Sequence, residues 1–305
     1  SEKEGKDNEP FLRLSNAVNE AAFLSHPYRN EVIGSLEDLQ RIQRDDLYHH
    51  YRKYYQPANA IISIAGDFNT SEMVEKIQNK FNSIPSKFSP VPEIQPEYEL
   101  KGKKEILLSG PGDTIFIQIA YRSPSARDPD FFGFTILDSL LSGPASLNMF
   151  GGGGTSNKTS RLYKKLVDKR FAVSLAGGLQ ATLDPHLYDL SITLHQGQDP
   201  EIVIKTIDQE IARLIEKRIR KSEIQKAVKQ ARAMFAYGLE NITNQAFWLG
   251  YSESFADHDW YANYLDRLNE IKPQDVQRVA EKYLHPEKRV IGIYHPNFSE
   301  SKQSS

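Results

Sequence analysis

The chain contains an internal repeat whose two copies align without a gap. Residues 42–67 read IQRDDLYHHYRKYYQPANAIISIAGD, and residues 271–296 read IKPQDVQRVAEKYLHPEKRVIGIYHP. The identical aligned pairs include Ile42/Ile271, Asp46/Asp275, Lys53/Lys282, Tyr54/Tyr283 and Pro57/Pro286. Each copy reads as an amphipathic helix, a proline and an apolar run typical of a buried strand. A duplication explains this identical spacing better than a chance similarity between two helix–turn–strand units.

The two copies have unequal lengths of chain in front of them. The first copy is preceded only by residues 1–41, whereas the much longer stretch 101–270 lies between a proline-rich segment and the second copy. If the copies once belonged to domains of equal size, most of the first domain is missing from this sequence. We therefore expect residues 1–83 to be the C-terminal half of a first domain, and residues 101–298 to be a complete second domain homologous to it.

The proline-rich segment covers residues 84–100 and has little apolar periodicity. Its prolines are Pro85, Pro90, Pro92 and Pro96. Such a composition predicts an extended, semi-rigid linker between the two domains. Residues 299–305 are expected to form a disordered tail.

The pattern of apolar residues predicts helices and strands along the whole chain. The predicted helices cover residues 9–24, 35–42, 45–55, 70–82, 129–142, 158–169, 200–218, 221–241, 244–256, 259–269 and 273–284. The predicted strands cover residues 59–65, 104–108, 114–121, 172–178, 187–194 and 289–294. Because helices cluster between antiparallel-type strands rather than alternating with each of them, the pattern favours an α+β fold.

Composition excludes several classes of protein and site. The formal net charge is −2, from 38 basic and 40 acidic residues, which gives no reason to expect a nucleic-acid or anionic-membrane partner. The basic stretch at residues 216–232 alternates with acids and apolar positions, and we interpret it as a solvated helix face. There is no cysteine, so disulfides, thiolate zinc sites and cysteine nucleophiles are excluded. No membrane span or signal-peptide core is visible, which predicts a soluble protein and leaves its compartment open.

Four consecutive glycines, Gly151 to Gly154, precede the polar stretch TSNKTSRLYKKL. A phosphate-binding loop would need a glycine immediately before Lys158 and a strand before the glycines, and neither is present. Two interpretations stay open for the run: a flexible connector, or a loop that lets a substrate backbone approach closely. Thr159 or Ser160 can cap the following helix, which places Arg161 in its first turn beside the glycines. There a guanidinium could grip a peptide carbonyl or carboxylate, and a solvated helix face is the alternative.

Three segments resemble the pitrilysin/insulinase family of zinc metallopeptidases, which includes the mitochondrial processing peptidases. GGGGTSNKTSRLYKKLVDKRFAVS is similar to the glycine-rich loop, Ser-Arg-Leu-Tyr and helix of the family's second domain. AFLSHPYRNEVIGSLEDL resembles the first-domain segment that follows the zinc site, and YYQPANAIISIAGDF resembles the family's Tyr-x-Pro-x-Asn-Ala strand. The resemblance implies two homologous sheet-plus-helices domains of the clamshell type, the first incomplete at its N-terminus.

The family's zinc site is a His-x-x-Glu-His motif, in which two histidines bind zinc and the glutamate acts as general base. None of the eight histidines fits this pattern, so no catalytic residue is assigned to this chain. The family's third zinc ligand is a glutamate, and by the resemblance Glu2 falls at its position, with Glu4 as the alternative. A charged, disordered terminus is the competing interpretation, and zinc is expected only in the complete enzyme.

By the same resemblance, Arg161, Ser160 and the glycines Gly151, Gly152, Gly153 and Gly154 are the candidate substrate-binding residues. Several family members add a tyrosine a few positions beyond the helix that follows the arginine. This chain has Val173 at that position, so only the arginine and the loop are carried over.

The leading hypothesis is that this chain is the C-terminal part of a zinc metalloendopeptidase that cleaves peptides or small proteins. It would contribute substrate binding and chamber walls to a catalytic N-terminal segment or to a homologous partner subunit, with a homodimer and a heterodimer both open. Alone, without the zinc motif, it is predicted to be inactive. The alternative is an inactive binding or structural subunit that pairs with a catalytic partner. A nucleotide-binding module is the third hypothesis, which a failed ATP titration would remove.

Overall fold

The computed structural model describes residues 3, 5, 8–87, 92–143 and 158–297. Its helices are α1 Pro10–Ala22, α2 Leu36–Arg41, α3 Arg44–Tyr54, α4 Thr70–Phe81, α5 Phe131–Leu141, α6 Pro200–Glu216, α7 Lys221–Leu239, α8 Ile242–Phe255, α9 His258–Ala262, α10 Tyr264–Glu270 and α11 Pro273–Tyr283. Its strands are β1 Lys104–Gly110, β2 Phe116–Arg122, β3 Ala172–Gly178, β4 Leu187–Leu194 and β5 Arg289–Pro296. No helix within the described ranges is both long and apolar enough to cross a membrane.

The five strands form one mixed sheet in the order β1-β5-β2-β4-β3. β1 and β5 run parallel, with Lys104 opposite Val290, and the other neighbours are antiparallel. Strands β3 and β4 have the bounds that the sequence predicts. Helices and strands are grouped rather than alternating, so the α+β prediction is confirmed.

Helices cover both faces of the sheet. On one face α5 buries Phe134, Ile136 and Leu137 in a large apolar core shared with α6, α7 and α11. On the other face α1 packs across β5, β2 and β1, and its Leu14 and Val18 are fully buried. A side chain at Gly292 would place its Cβ 2.8 Å from Leu14 Cδ1, so glycine is what lets this helix approach the sheet closely.

The two repeat copies fold alike where their structure is local. α3 and α11 begin and end at positions that the repeat alignment pairs, Arg44 with Pro273 and Tyr54 with Tyr283. In each helix an aspartate in the first turn accepts a hydrogen bond of 2.9 Å from the backbone N–H just before the helix. These aspartates are Asp46 and Asp275, which the alignment also pairs. The same capping geometry is thus encoded twice.

The strand predicted at residues 59–65 is wrong. Pro57–Asn59 forms a 3-10 turn, and residues 60–65 form no strand. The repeat counterpart of this run is β5, which lies between β1 and β2 and hydrogen-bonds to both. A strand requires such neighbours because its backbone groups pair outside the segment, and no described strand lies beside residues 60–65.

Smaller differences concern helix ends. The residue that caps α4 is Asn69, whose side chain accepts a hydrogen bond from Glu72 N. α5 starts at Phe131 after the N-cap Asp130, two residues later than the start predicted at residue 129. The single helix predicted at residues 259–269 is interrupted at Asn263, which ends α9 and precedes α10.

Glu97 connects the stretch that leads into β1 to the segment after α1 by hydrogen bonds. Its carboxylate accepts hydrogen bonds from the backbone N–H groups of Leu24, Ser25 and His26, at 2.6 to 3.1 Å. Burial alone would raise the pKa of Glu97, but these N–H donors outweigh burial and lower the pKa to about 2. A negative charge at this position therefore stabilises the turn at neutral pH.

We expect Glu97→Gln to lower the free energy of unfolding by about 2 kcal/mol at pH 7, because an amide accepts these hydrogen bonds more weakly than a carboxylate. The folded pKa lies below the unfolded value, so the stabilisation is complete above about pH 4.5 and is lost as the pH falls towards 2. Urea unfolding between pH 2 and pH 7, a range chosen to span both states, measures it. Glu99→Gln, at a carboxylate that is 75% exposed, should change almost nothing. Equal losses in the two variants would contradict the prediction.

Candidate functional site

The candidate site is built around the turn that carries Ser160 and Arg161. Ser160 is buried, and its Oγ accepts a hydrogen bond of 3.3 Å from Tyr163 N, so it caps the following turn as a serine at this position can. Gly151, Gly152, Gly153 and Gly154 lie outside the described residues, as does Glu2. The structure therefore locates two of the predicted site residues and leaves the glycines and the candidate metal ligand untested.

The helix predicted at residues 158–169 is wrong in kind and length. Arg161 and Leu162 are helical, Tyr163–Val167 form a π-helical turn, and Arg170 ends it with a φ of 60°. The wider turn is closed by a hydrogen bond from Asp168 N to Tyr163 O. Both Leu162 and Leu166 are fully buried in the core, and we attribute the local widening to that packing.

Two carboxylates from neighbouring helices hold the Arg161 side chain. Its Nη2 donates to Glu223 Oε1 of α7 at 3.0 Å, and its Nη1 lies 3.6 Å from Glu210 Oε1 of α6. Glu210 is almost fully buried and also pairs with Arg213 at 3.1 Å. Burial tends to raise the pKa of Glu223, but the backbone N–H of Arg220 and the charge of Arg161 lower it overall. Arg161 is thus a fixed guanidinium rather than a solvated one.

A cavity of about 340 Å³ opens beside this arginine. Ser139, Thr159, Ser160 and Arg161 contribute to its wall, and Lys164, Arg220 and Lys226 add positive charge. A guanidinium has five N–H donors, and the contacts to Glu210 and Glu223 in the described structure use only part of them. The arrangement can therefore bind a carbonyl or carboxylate group that enters the cavity.

Sequence reasoning missed the acids that position Arg161. Glu210 and Glu223 lie on two later helices, far from Arg161 along the chain, and nothing in their local sequence marks them as its partners. Glu223 could have been found only as the first-turn acid of α7, where it accepts a hydrogen bond from Arg220 N. Val173, which by the sequence resemblance stands where several family members have a tyrosine, lies on β3 and is 54% exposed.

The described residues do not provide a zinc site. Across residues 8–87, 92–143 and 158–297, no three or more His, Asp or Glu side chains are placed to share a metal ion. Zinc chemistry is therefore not assigned to these residues.

Comparison with known proteins identifies the family. The model of the peptidase M16 inactive domain matches residues 41–231. Zinc protease PqqE of Helicobacter pylori is 26% identical over 285 residues, covering 91% of this chain and 60% of the relative. A probable mitochondrial-processing peptidase subunit beta of Schizosaccharomyces pombe is 23% identical over 272 residues, covering 88% of this chain and 58% of the relative.

A solved structure shares the fold. The crystal structure of a protease from Helicobacter pylori superimposes with a TM-score of 0.85 at 23% identity, covering 95% of this chain and 68% of that one. The chain spans about 60% of the length of the curated relatives described above. The family match covers more than half of the chain, and the resemblance seen in the sequence is confirmed. The chain belongs to the M16 peptidase inactive-domain family, as the C-terminal portion of a pitrilysin-type protein.

Proposed function

We propose that this chain is the substrate-binding C-terminal portion of a zinc metalloendopeptidase. A zinc-bearing segment, supplied by the same polypeptide or by a homologous partner subunit, would pack against it and complete a peptide-cleaving chamber. Arg161, Ser160 and the glycine run at residues 151–154 would position the peptide. The zinc, when bound by that segment, would supply the activated water for hydrolysis.

The observation that carries this proposal is the unequal burial of the two repeat copies. In α11 the side chains of Val276 and Ala280 are fully buried, whereas their counterparts in α3, Leu47 and Tyr51, are 61% and 53% exposed. Val290 in β5 is fully buried, and its counterpart Ile61 is 57% exposed. Apolar side chains that one copy buries are thus uncovered in the other, which is typical of a surface made to be covered.

A lysine–tyrosine pair that both repeat copies contain shows the same asymmetry. Lys282 and Tyr283 of α11 both bind Asp130, at 2.7 and 3.2 Å, and Lys282 lies over the Tyr283 ring. In the first copy Lys53 lies over the Tyr54 ring in the same way, 4.9 Å from its centroid. No acid of the described residues contacts Lys53. We infer that the covering segment places an acidic residue there, in the role that Asp130 has in the second copy.

A second candidate function is an inactive binding or structural subunit. It is favoured by the match to an inactive-domain model. In that case the same exposed surface would bind a partner, and no peptide would be cleaved at this chain.

The test is to combine the chain with a zinc-bearing segment, either the coding region upstream of residue 1 or a homologous subunit with a His-x-x-Glu-His motif. We expect the chain alone to leave a quenched peptide uncleaved, and the combined form to cleave it and to carry about one zinc ion. Hydrogen exchange at residues 44–54 and 60–65 should slow on combination, because the covered backbone loses contact with water.

The outcomes separate the candidates. Slowed exchange without zinc or cleavage would favour the inactive subunit. Unchanged hydrogen exchange at both residues 44–54 and residues 60–65, with either kind of zinc-bearing segment supplied, would overturn the proposal itself.

A further inference from the structure

A wide groove lies at the N-terminal part of α7, away from the end of α7 that leads into α8. Its walls come from the turn after α6, the first half of α7 and the junction between α10 and α11, and its volume is about 1160 Å³. Pockets for small ligands commonly measure about 300–1,000 Å³, so this groove exceeds a typical small-molecule site. It shares no lining residue with the cavity beside Arg161, although α7 contributes to both.

The groove is strongly basic. Its charged lining consists of five cations and one acid: Arg218, Lys221, Lys229, Arg232, Lys272 and Glu270. Such a concentration of like charge is unfavourable for the isolated chain, and it favours an anionic ligand. The chain as a whole carries a net charge of −2, so this positive surface is a local feature. We refer to it as the basic groove.

The cations of the basic groove differ from their neighbours in forming no ion pair within the described part of the chain. On the same helices or the adjoining turn, Arg213, Arg220, Arg278 and Lys282 each form an ion pair with an aspartate or glutamate. None of the five groove cations forms an ion pair with any described residue. Their charge is therefore available to a ligand.

The helix ends contribute little to the positive charge of the groove. α7 and α11 both begin at the groove, and the start of a helix carries partial positive charge. However, Glu223 and Asp275 already accept hydrogen bonds at these two ends. The side-chain cations, not the helix ends, give the groove its charge.

The floor of the groove is apolar. Ile219 and Ile224 are almost fully buried, and Val228, Ile271 and Pro273 lie partly exposed along it. A phosphate or nucleic-acid backbone would leave such a floor uncovered, whereas a peptide can place apolar side chains on it and acidic side chains against the rim. The charge and the floor together specify one kind of occupant.

We propose that the basic groove binds an acidic peptide segment that also carries apolar side chains. The segment would lie along α7 with its apolar residues on Ile224 and Val228, and its carboxylates beside Lys229, Arg232 and Lys272. This inference does not rest on the proposed peptidase function, since it uses neither Arg161 nor the exposed repeat surface.

The test is fluorescence anisotropy with the 305-residue chain and labelled peptides of about a dozen residues, a length that spans such a groove. An alternating Glu/Leu peptide should bind, and its affinity should fall as salt screens the charges. The double variant Lys229→Glu/Arg232→Glu should weaken binding about 10-fold or more, because two attractions become repulsions. Circular dichroism confirms that the variant is folded.

The matched control is Lys80→Glu/Lys205→Glu, which makes the same change in net charge at exposed positions on α4 and α6 outside the groove. It should leave affinity nearly unchanged. The proposal is overturned if the control weakens binding as much as the groove variant, or if a Lys/Leu peptide binds as well as the Glu/Leu one. It is also overturned if polyglutamate, inorganic polyphosphate or an oligonucleotide competes as strongly as the Glu/Leu peptide, since the groove would then bind anions without using its floor.

Discussion

Replacing Asp138 with asparagine will raise the free energy of unfolding of this chain above pH 6 and leave it almost unchanged near pH 4. Asp138 is a carboxyl group in the buried face of α5, and no described cation lies against it. Its Oδ1 accepts hydrogen bonds from Tyr188 Oη, at 2.8 Å, and from Ser142 Oγ. Gly177 packs so closely above Asp138 and Ser142 that any side chain there would collide with them.

The sign of the effect follows from the direction of the pKa shift. Burial raises the pKa of Asp138 to about 6, and the hydrogen bonds from Ser142 and Tyr188 only partly oppose burial. In the unfolded chain the carboxyl releases its proton near pH 4, so between about pH 4 and pH 6 the folded chain holds a proton that the unfolded chain has lost. Stability therefore falls as the pH rises through this window and stays lower above it.

Asparagine keeps an acceptor oxygen for Tyr188 and Ser142 and carries no charge at any pH. At pH 7 to 8 the gain over the natural chain should reach up to about 3 kcal/mol, the free energy of a shift of about two pKa units. Urea unfolding at unit pH steps between about pH 4 and pH 8 measures it. Asp259→Asn, at a carboxylate that is 68% exposed, serves as the control and should show no such gain.

A second buried carboxyl limits what the single substitution can do. Burial also raises the pKa of Asp189 to about 6. The stability of the Asp138→Asn chain should therefore still fall between about pH 4 and pH 6, but by less than that of the natural chain. Adding Asp189→Asn should remove most of the remainder. If Asp138→Asn and the natural chain keep a constant difference in stability across the whole range, the carboxyl is not the titrating group and the prediction is wrong.

Features that depend on neighbouring residues in the chain could be predicted from the sequence. The repeat predicted two equivalent helices, and α3 and α11 have equivalent bounds because each begins with the same first-turn aspartate. β4 was predicted with its observed bounds, since the alternation of apolar residues along it reflects the burial of one strand face. These signals depend on residues close together in the sequence and not on contacts with the rest of the chain.

Features that depend on distant partners could not be predicted in this way. Residues 60–65 have the apolar composition of a strand, but no neighbouring strand is described for them. The π-helical turn at Tyr163–Val167 accompanies the burial of both Leu162 and Leu166, which is set by the surrounding helices. The partners of Arg161 come from two other helices, so the sequence predicted a candidate residue without its environment.

That environment determines what a substitution of Arg161 will show. In the catalytic assembly that we propose, we expect Arg161→Ala to lower kcat/KM for peptide cleavage about 100-fold, a loss of about 2.7 kcal/mol of transition-state binding. The same variant should lower the free energy of unfolding by about 1–3 kcal/mol, because Glu210 loses one of its two basic partners. Arg161→Lys keeps the charge but not the planar guanidinium, and we expect a smaller loss of about 10-fold.

The stability change must be separated from the loss of substrate binding, and Arg213 allows this. Arg213 is the other partner of Glu210, at 3.1 Å, but it does not line the cavity beside Arg161. Arg213→Ala should therefore destabilise the fold to a similar extent while leaving kcat/KM nearly unchanged. If Arg213→Ala and Arg161→Ala reduce cleavage equally, Arg161 acts only by holding α6 and α7 in place. If only Arg161→Ala reduces cleavage, the guanidinium contacts the peptide. Both variants remove a partner of the buried Glu210 carboxylate, but of the two arginines only Arg161 lines the cavity.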